Sequence, residues 1–138
     1  MSNEEAVVRG TFEAMSEARG AALAERDALM ERWFDREVES VEDEKWPGSS
    51  AYRGRDAVRD AFAGYEEILG GDLTVEEVRT GTNGLLAIIR FEGESTGASV
   101  PWEQRWAYHC RVRDGRISYF RAFADLDEAR AAVGVSSP

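Results

Sequence analysis

The chain of 138 residues contains one cysteine, one histidine and one lysine. A single cysteine, Cys110, excludes an internal disulfide. No apolar run approaches the roughly 18 residues of a membrane span, and the opening MSNEEAVVRG is acidic with no apolar core, unlike a secretory leader. A cytoplasmic protein with no membrane contact is the expectation. Positive charge is scarce as well: 27 acids stand against 17 bases, for a net charge of −10. A phosphate backbone repels such a chain, so no nucleic-acid partner is expected. The acidic stretch VESVEDEKW, 38 to 46, lacks the alternating oxygen ligands and mid-loop glycine of a calcium loop. It reads as a solvated loop, and no metal or cofactor is implied.

What remains is a regular pattern with an apolar fraction of 43% and a length suited to a single domain over residues 1 to 138. Ser2 or Asn3 caps a first helix, with Val8, Phe12 and Met15 at helical spacing. Gly20 breaks it, and Leu23, Met30, Trp33 and Phe34 share one face of a second. FDREVESV, 34 to 41, predicts a short strand, and WPGSSAYRG, 46 to 54, a loop. RDAVRDAFAGYEEIL, 55 to 69, carries the clearest apolar stripe (Val58, Ala61, Phe62, Tyr65, Ile68, Leu69) and stops at Gly70-Gly71.

After that the hydrophobic period changes from 3.6 to 2. Strands are predicted over 72 to 81, 85 to 95, 100 to 112 and 116 to 124. Thr82-Asn83-Gly84 and Asp114-Gly115 mark hairpins, and STGAS, 95 to 99, a loop. DLDEARAAVG makes a short last helix. Helices followed by antiparallel strands give an α+β protein, with helices packed on one face of a curved sheet.

VPWEQRWAYHC, 100 to 110, concentrates the chemically capable side chains. Alternation sorts them: Trp102, Gln104, Trp106, Tyr108 and Cys110 share one face, while Glu103, Arg105, Ala107 and His109 share the other. The first set suits a cavity and the second suits solvent or a subunit interface. His109 and Cys110 point opposite ways, which argues against a metal site or a Cys–His nucleophile pair. On the preceding strand Arg90 and Glu92 share a face with Leu86 and Ile88. That face is expected to look inward, where Arg90 would be an oxyanion partner and Glu92 an acid or base; the alternative is a strand end running out into solvent as an ion pair.

VVRGTFEAM near the start, YRGRDAVRDAF at 52 to 62 and VRDGRISYFRAFADLDEARAAVG at 112 to 134 resemble the SnoaL-like domains of the nuclear-transport-factor-2-like superfamily. The resemblance implies a cone whose helices and curved sheet enclose a pocket for a small apolar molecule, and a homodimer formed through the outer sheet face. IRFE, 89 to 92, is similar to the arginine-x-aspartate pattern of epoxide hydrolases of this superfamily. Other positions depart from the family's enzymes. Ala122 stands where they keep a catalytic aspartate, Tyr108 where the cyclases have a histidine, and Phe12 where the ketosteroid isomerases have a tyrosine. The isomerases' base falls near Ser40 or Glu42.

The expected site is thus Arg90, Glu92 and Tyr108 as reactive groups, with Phe12, Gln104, Trp106, Tyr108, Phe120 and Ala122 as pocket wall. The leading expectation is a binding protein for a small apolar molecule. An isomerase, cyclase or hydrolase and a filled dimerisation module are the alternatives.

Overall fold

The computed structural model describes residues 2–43, 45, 50–69, 72–94 and 101–135, with the side chains of 66–69 and 94 left aside. Helix α1 (Asn3–Glu17) starts at Ser2, whose hydroxyl accepts from Glu5 N–H while the Glu5 carboxylate accepts from Ser2 N–H: a reciprocal cap. Helix α2 (Leu23–Trp33) runs directly into strand β1 (Phe34–Val41). Phe34 therefore belongs to the strand, and Leu23 is 60% exposed, so neither joins Met30 on a buried helical face as the spacing suggested. Within the stretch read as loop, Ala51–Arg53 forms a short strand, β2, paired antiparallel with β1. The expectations for Gly70-Gly71 and for the loop at 95 to 99 lie outside the described residues.

Helix α3 (Arg55–Leu69) is followed by strands β3 (Asp72–Gly81), β4 (Gly84–Glu94), β5 (Pro101–Arg113) and β6 (Arg116–Phe123), then helix α4 (Leu126–Val133). The sheet order is β2-β1-β6-β5-β4-β3. The last four strands pair antiparallel, as their short turns require, while β1 lies parallel to β6. Asp114 and Gly115 both adopt positive φ (52° and 78°), the conformation of a two-residue hairpin turn.

The sheet is buried on both faces. Val8, Phe12 and Met30 from α1 and α2, and Val58 from α3, pack on Val38, Leu85, Ala87, Ile89, Cys110 and Phe120 of the inner face. Ala129 and Val133 of α4 cover Leu86, Ile88, Ala107 and Phe123 on the outer face. The turn of the β3–β4 hairpin holds the end of α4: Thr82 and Asn83 N–H donate to the carbonyls of Gly134 and Val133. Gly81 permits this approach, since a Cβ there would lie 2.4 Å from the Val133 carbonyl oxygen.

This second layer corrects two readings. His109, expected at a surface or interface, is 5% exposed, with Nε2 2.6 Å from the Asn83 carbonyl oxygen. Burial, against the pull of that carbonyl, lowers its pKa, and the charges of Arg111 and Arg121 act the same way. And the outer face is not left bare by helices.

Candidate functional site

Between the helices and the inner face of the sheet lies a cavity of about 520 Å³, within the usual range for small-molecule sites. An aromatic cluster forms part of its wall. Phe120 on β6 packs against Phe34 at 5.9 Å and Phe62 at 5.6 Å, and Tyr108 stacks tilted on Phe12 at 5.1 Å. All six residues expected as pocket wall line the cavity: Phe12, Gln104, Trp106, Tyr108, Phe120 and Ala122. The pairing registers explain why. Tyr108 faces Ala122 and Cys110 faces Phe120 across β5–β6, so the inward set of one strand selects the inward set of the next.

Arg90 and Glu92 do not belong to this group. Across β4–β5, Ala87 pairs with Tyr108 and Ile89 with Trp106, so Leu85, Ala87, Ile89 and Phe91 look inward and Arg90 and Glu92 look outward. There the Arg90 guanidinium lies 3.8 Å from both Glu76 and Glu92, in a network with Arg105, whose Nε is 2.6 Å from the Glu76 carboxylate. The reading failed on phase. β4 is apolar on both faces because α4 covers the far side, so alternation alone cannot say which face is inner. The similarity of IRFE to a catalytic arginine–acid pair ends with that placement.

Tyr108 presents a hydroxyl that makes no hydrogen bond to any described residue, beside the aromatic rings of the cavity wall. Burial, reinforced by neighbouring Cys110, raises its pKa, so it stays neutral and able to donate. Cys110, wholly buried, has its thiol pushed up the same way, which makes it a small core residue and not a nucleophile. Gln104 accepts a 3.3 Å hydrogen bond from the Trp106 indole N–H.

Ser40 and Glu42, near which the resemblance set the isomerases' base, line the cavity although neither was expected in its wall, as do Tyr65, Arg19, Arg26 and Arg59. Glu42, placed in a solvated loop, lies on the cavity wall just past β1. Its carboxylate accepts from Ser50 N–H at 2.8 Å and from the Tyr65 hydroxyl. Burial and the Glu42 charge together raise the pKa of Tyr65, locking it as donor. Ser40, also on the wall, is 5% exposed. Next to Glu42, Asp43 is buried: its carboxylate accepts from Lys45 N–H at 3.0 Å and Ala124 N–H at 2.9 Å. Burial alone raises its pKa, but these two amides with the Lys45 and Arg121 charges outweigh that and lower it overall. The signal for Glu42 was the alternation of Val38, Ser40 and Glu42, which carries the β1 pattern into the acidic run.

Among the described residues, no three His, Cys, Asp or Glu side chains gather as metal ligands, and no helix is long and apolar enough to cross a membrane.

The SnoaL-like domain model matches residues 5–120. The chain belongs to the SnoaL-like family. No curated protein sequence matches it significantly, but solved structures share this SnoaL-like fold. A nuclear-transport-factor-2-like protein from Burkholderia thailandensis is 23% identical with a TM-score of 0.65, covering 96% of this chain and 98% of its own. TerC, co-crystallised with polyporic acid, is 14% identical with a TM-score of 0.69 over the same shares. A protein with a ketosteroid isomerase-like fold from Catenulispora acidiphila, in complex with trimethylamine, is 16% identical with a TM-score of 0.66, covering 96% of this chain and 97% of that one. These likenesses establish the cone fold: among the described residues, four helices on an open six-stranded mixed sheet.

Proposed function

We propose that this SnoaL-like protein binds a small, largely apolar organic molecule inside the cone, without a cofactor. One observation carries the reading. The cavity is walled in part by Phe12, Trp106, Phe120 and Phe62, and the Tyr108 hydroxyl within it has no hydrogen-bond partner among the described residues. Such a wall binds by apolar burial, about 25 cal/mol for each Å² removed from water, while an unpaired hydroxyl helps set orientation. The chain acts as a single domain in the cytoplasm. Its homodimer forms through the part of the outer face beyond α4. Sedimentation at micromolar concentration then gives twice the 15.4 kDa chain mass. A thermal-shift panel of apolar carbonyl, hydroxyl and purely hydrocarbon compounds tests the binding reading. Stabilisation by the oxygenated members is expected, and failure of every class to stabilise overturns it.

A second reading, an isomerase or cyclase, is favoured by Glu42. It is a carboxylate on the cavity wall, held by Tyr65 and Ser50, at a position close to that of the isomerases' base. Proton abstraction beside a carbonyl by Glu42, with Tyr108 donating to the developing oxyanion, is the chemistry this pairing supports. Deuterium exchange from D2O into a bound ketone, abolished by Glu42→Gln, is its expected sign. Exchange unaffected by that substitution rejects the role.

A further inference from the structure

Four arginines touch the cavity, Arg19, Arg26 and Arg59 from the helical layer and Arg105, whose side chain turns to the outer face with Glu76, against one carboxylate, Glu42. In a chain of net charge −10 the lining of this cavity is rich in arginine. Two of the four are neutralised where they stand. Arg59 reaches Asp27 at 2.5 Å, Asp60 at 3.0 Å and Asp56 at 3.4 Å, and Arg105 is held in a fork by Glu76 at 2.6 and 3.2 Å. Arg26 is pinned by donating its Nε–H to the Ala21 carbonyl at 2.9 Å. Arg19 differs. It is half-buried beside Ala18 and Met15 on the wall, and among the described residues no carboxylate or carbonyl accepts from its guanidinium.

From this, and resting on the binding reading above, we infer that the ligand is an amphipathic carboxylic acid: an apolar body in the cone and a carboxylate on Arg19, with Arg26 alongside across the α1–α2 turn. A guanidinium beside an apolar cavity is only weakly compensated by water, so an anionic group gains a charge-assisted, two-pronged hydrogen bond. Glu42 repels the anion from the β1 side of the wall and leaves the Arg19 side as the one that accepts it. Orientation is thereby fixed: carboxylate toward the α1–α2 turn, and the far end of the molecule toward Tyr108.

The test compares 2-naphthoic acid with its methyl ester, which shares the ring system but lacks the charge, on the full chain by titration calorimetry. The acid is expected to bind roughly ten-fold or more tightly than the ester, with the advantage shrinking as salt is raised. Arg19→Gln keeps a polar side chain and removes the charge at a half-buried helix end. It removes the preference for the acid and leaves the ester unchanged, and Arg19→Lys restores part of the preference. Equal or tighter binding of the ester by the unmodified protein overturns the anion site and leaves the binding reading standing. Binding of neither probe overturns both. A preference that survives Arg19→Gln removes Arg19 from the assignment.

Discussion

Replacing Tyr108 by phenylalanine separates a residue that holds the fold from one that waits for a ligand. The ring contacts of Tyr108, 5.1 Å to Phe12 and 6.3 Å to Phe120, survive the change. The hydroxyl donates to no described residue, so its removal breaks no hydrogen bond among them. Stability should then change by less than about 0.5 kcal/mol, a shift of roughly 2 °C or less in Tm for a chain of this length. Binding responds differently. A neutral hydrogen bond from this hydroxyl to a ligand carbonyl contributes about 0.5–1.5 kcal/mol, a loss of roughly 2- to 13-fold in affinity. Calorimetric titration with 2-naphthaldehyde and 2-methylnaphthalene measures this directly, because the two share a ring system and differ in the carbonyl. The aldehyde should weaken by that factor and the hydrocarbon should not. Because burial raises the Tyr108 pKa above its ordinary value near 10, the aldehyde's affinity should be flat across neutral pH. A Tm drop of several degrees, or equal weakening of both ligands, refutes the reasoning and makes the hydroxyl structural.

Ala122→Asp sets a carboxyl opposite Tyr108 in the cavity wall. Burial raises the pKa of the introduced group, so its destabilisation, about 2 kcal/mol or more, should appear as pH rises above about 4 and vanish below it; a Tm difference independent of pH counts against this. Asp43→Asn weakens the bond to Ala124 N–H that ties the end of β1 to the end of β6. The native carboxyl has a lowered pKa, so its contribution is complete above the unfolded value near 3.9 and fades as pH falls through the folded one. The variant should be less stable by about 1–3 kcal/mol at pH 7, with the gap closing in acid. Gly10→Ala gains about 1 kcal/mol of helix propensity, but its Cβ would meet the Trp33 ring at 2.5 and 2.8 Å. Overpacking costs about 1–3 kcal/mol, so thermal melts should show a net loss, and a raised Tm would mean that the indole swings aside freely.

The fold was legible because its signals are local. The change of period at residue 72, Asp114-Gly115 with both residues at positive φ, and the Ser2–Glu5 cap each act over a few residues. The inward face of β5 was legible too, because Glu103 and Arg105 alternate cleanly with Trp102, Gln104 and Trp106. β4 was not, since α4, distant in sequence, buries its outer face. The neighbouring strand carried the missing information. Arg90 pairs with Arg105 and Glu92 with Glu103, so the charged end of β4 shares the charged face of β5. The hydrogen bonding of Glu42 and Asp43 was not legible because an acidic run looks solvated in sequence, whereas here a tyrosine hydroxyl and backbone amides satisfy it.

The parallel pairing of β1 with β6 has a kinetic side. Residues 34 to 41 find their sheet partner at 117 to 121, some eighty positions later. Until β6 exists, the inner faces of α1 to α3 have only part of the wall they cover, and Phe34 lacks the Phe120 ring against which it packs. Closing so long a loop is entropically costly, which places the joining of β1 to the β3–β6 meander late in folding. On a ribosome the first half of the chain emerges as an apolar surface waiting for its cover, exposed to aggregation for as long as translation takes to reach the last strand.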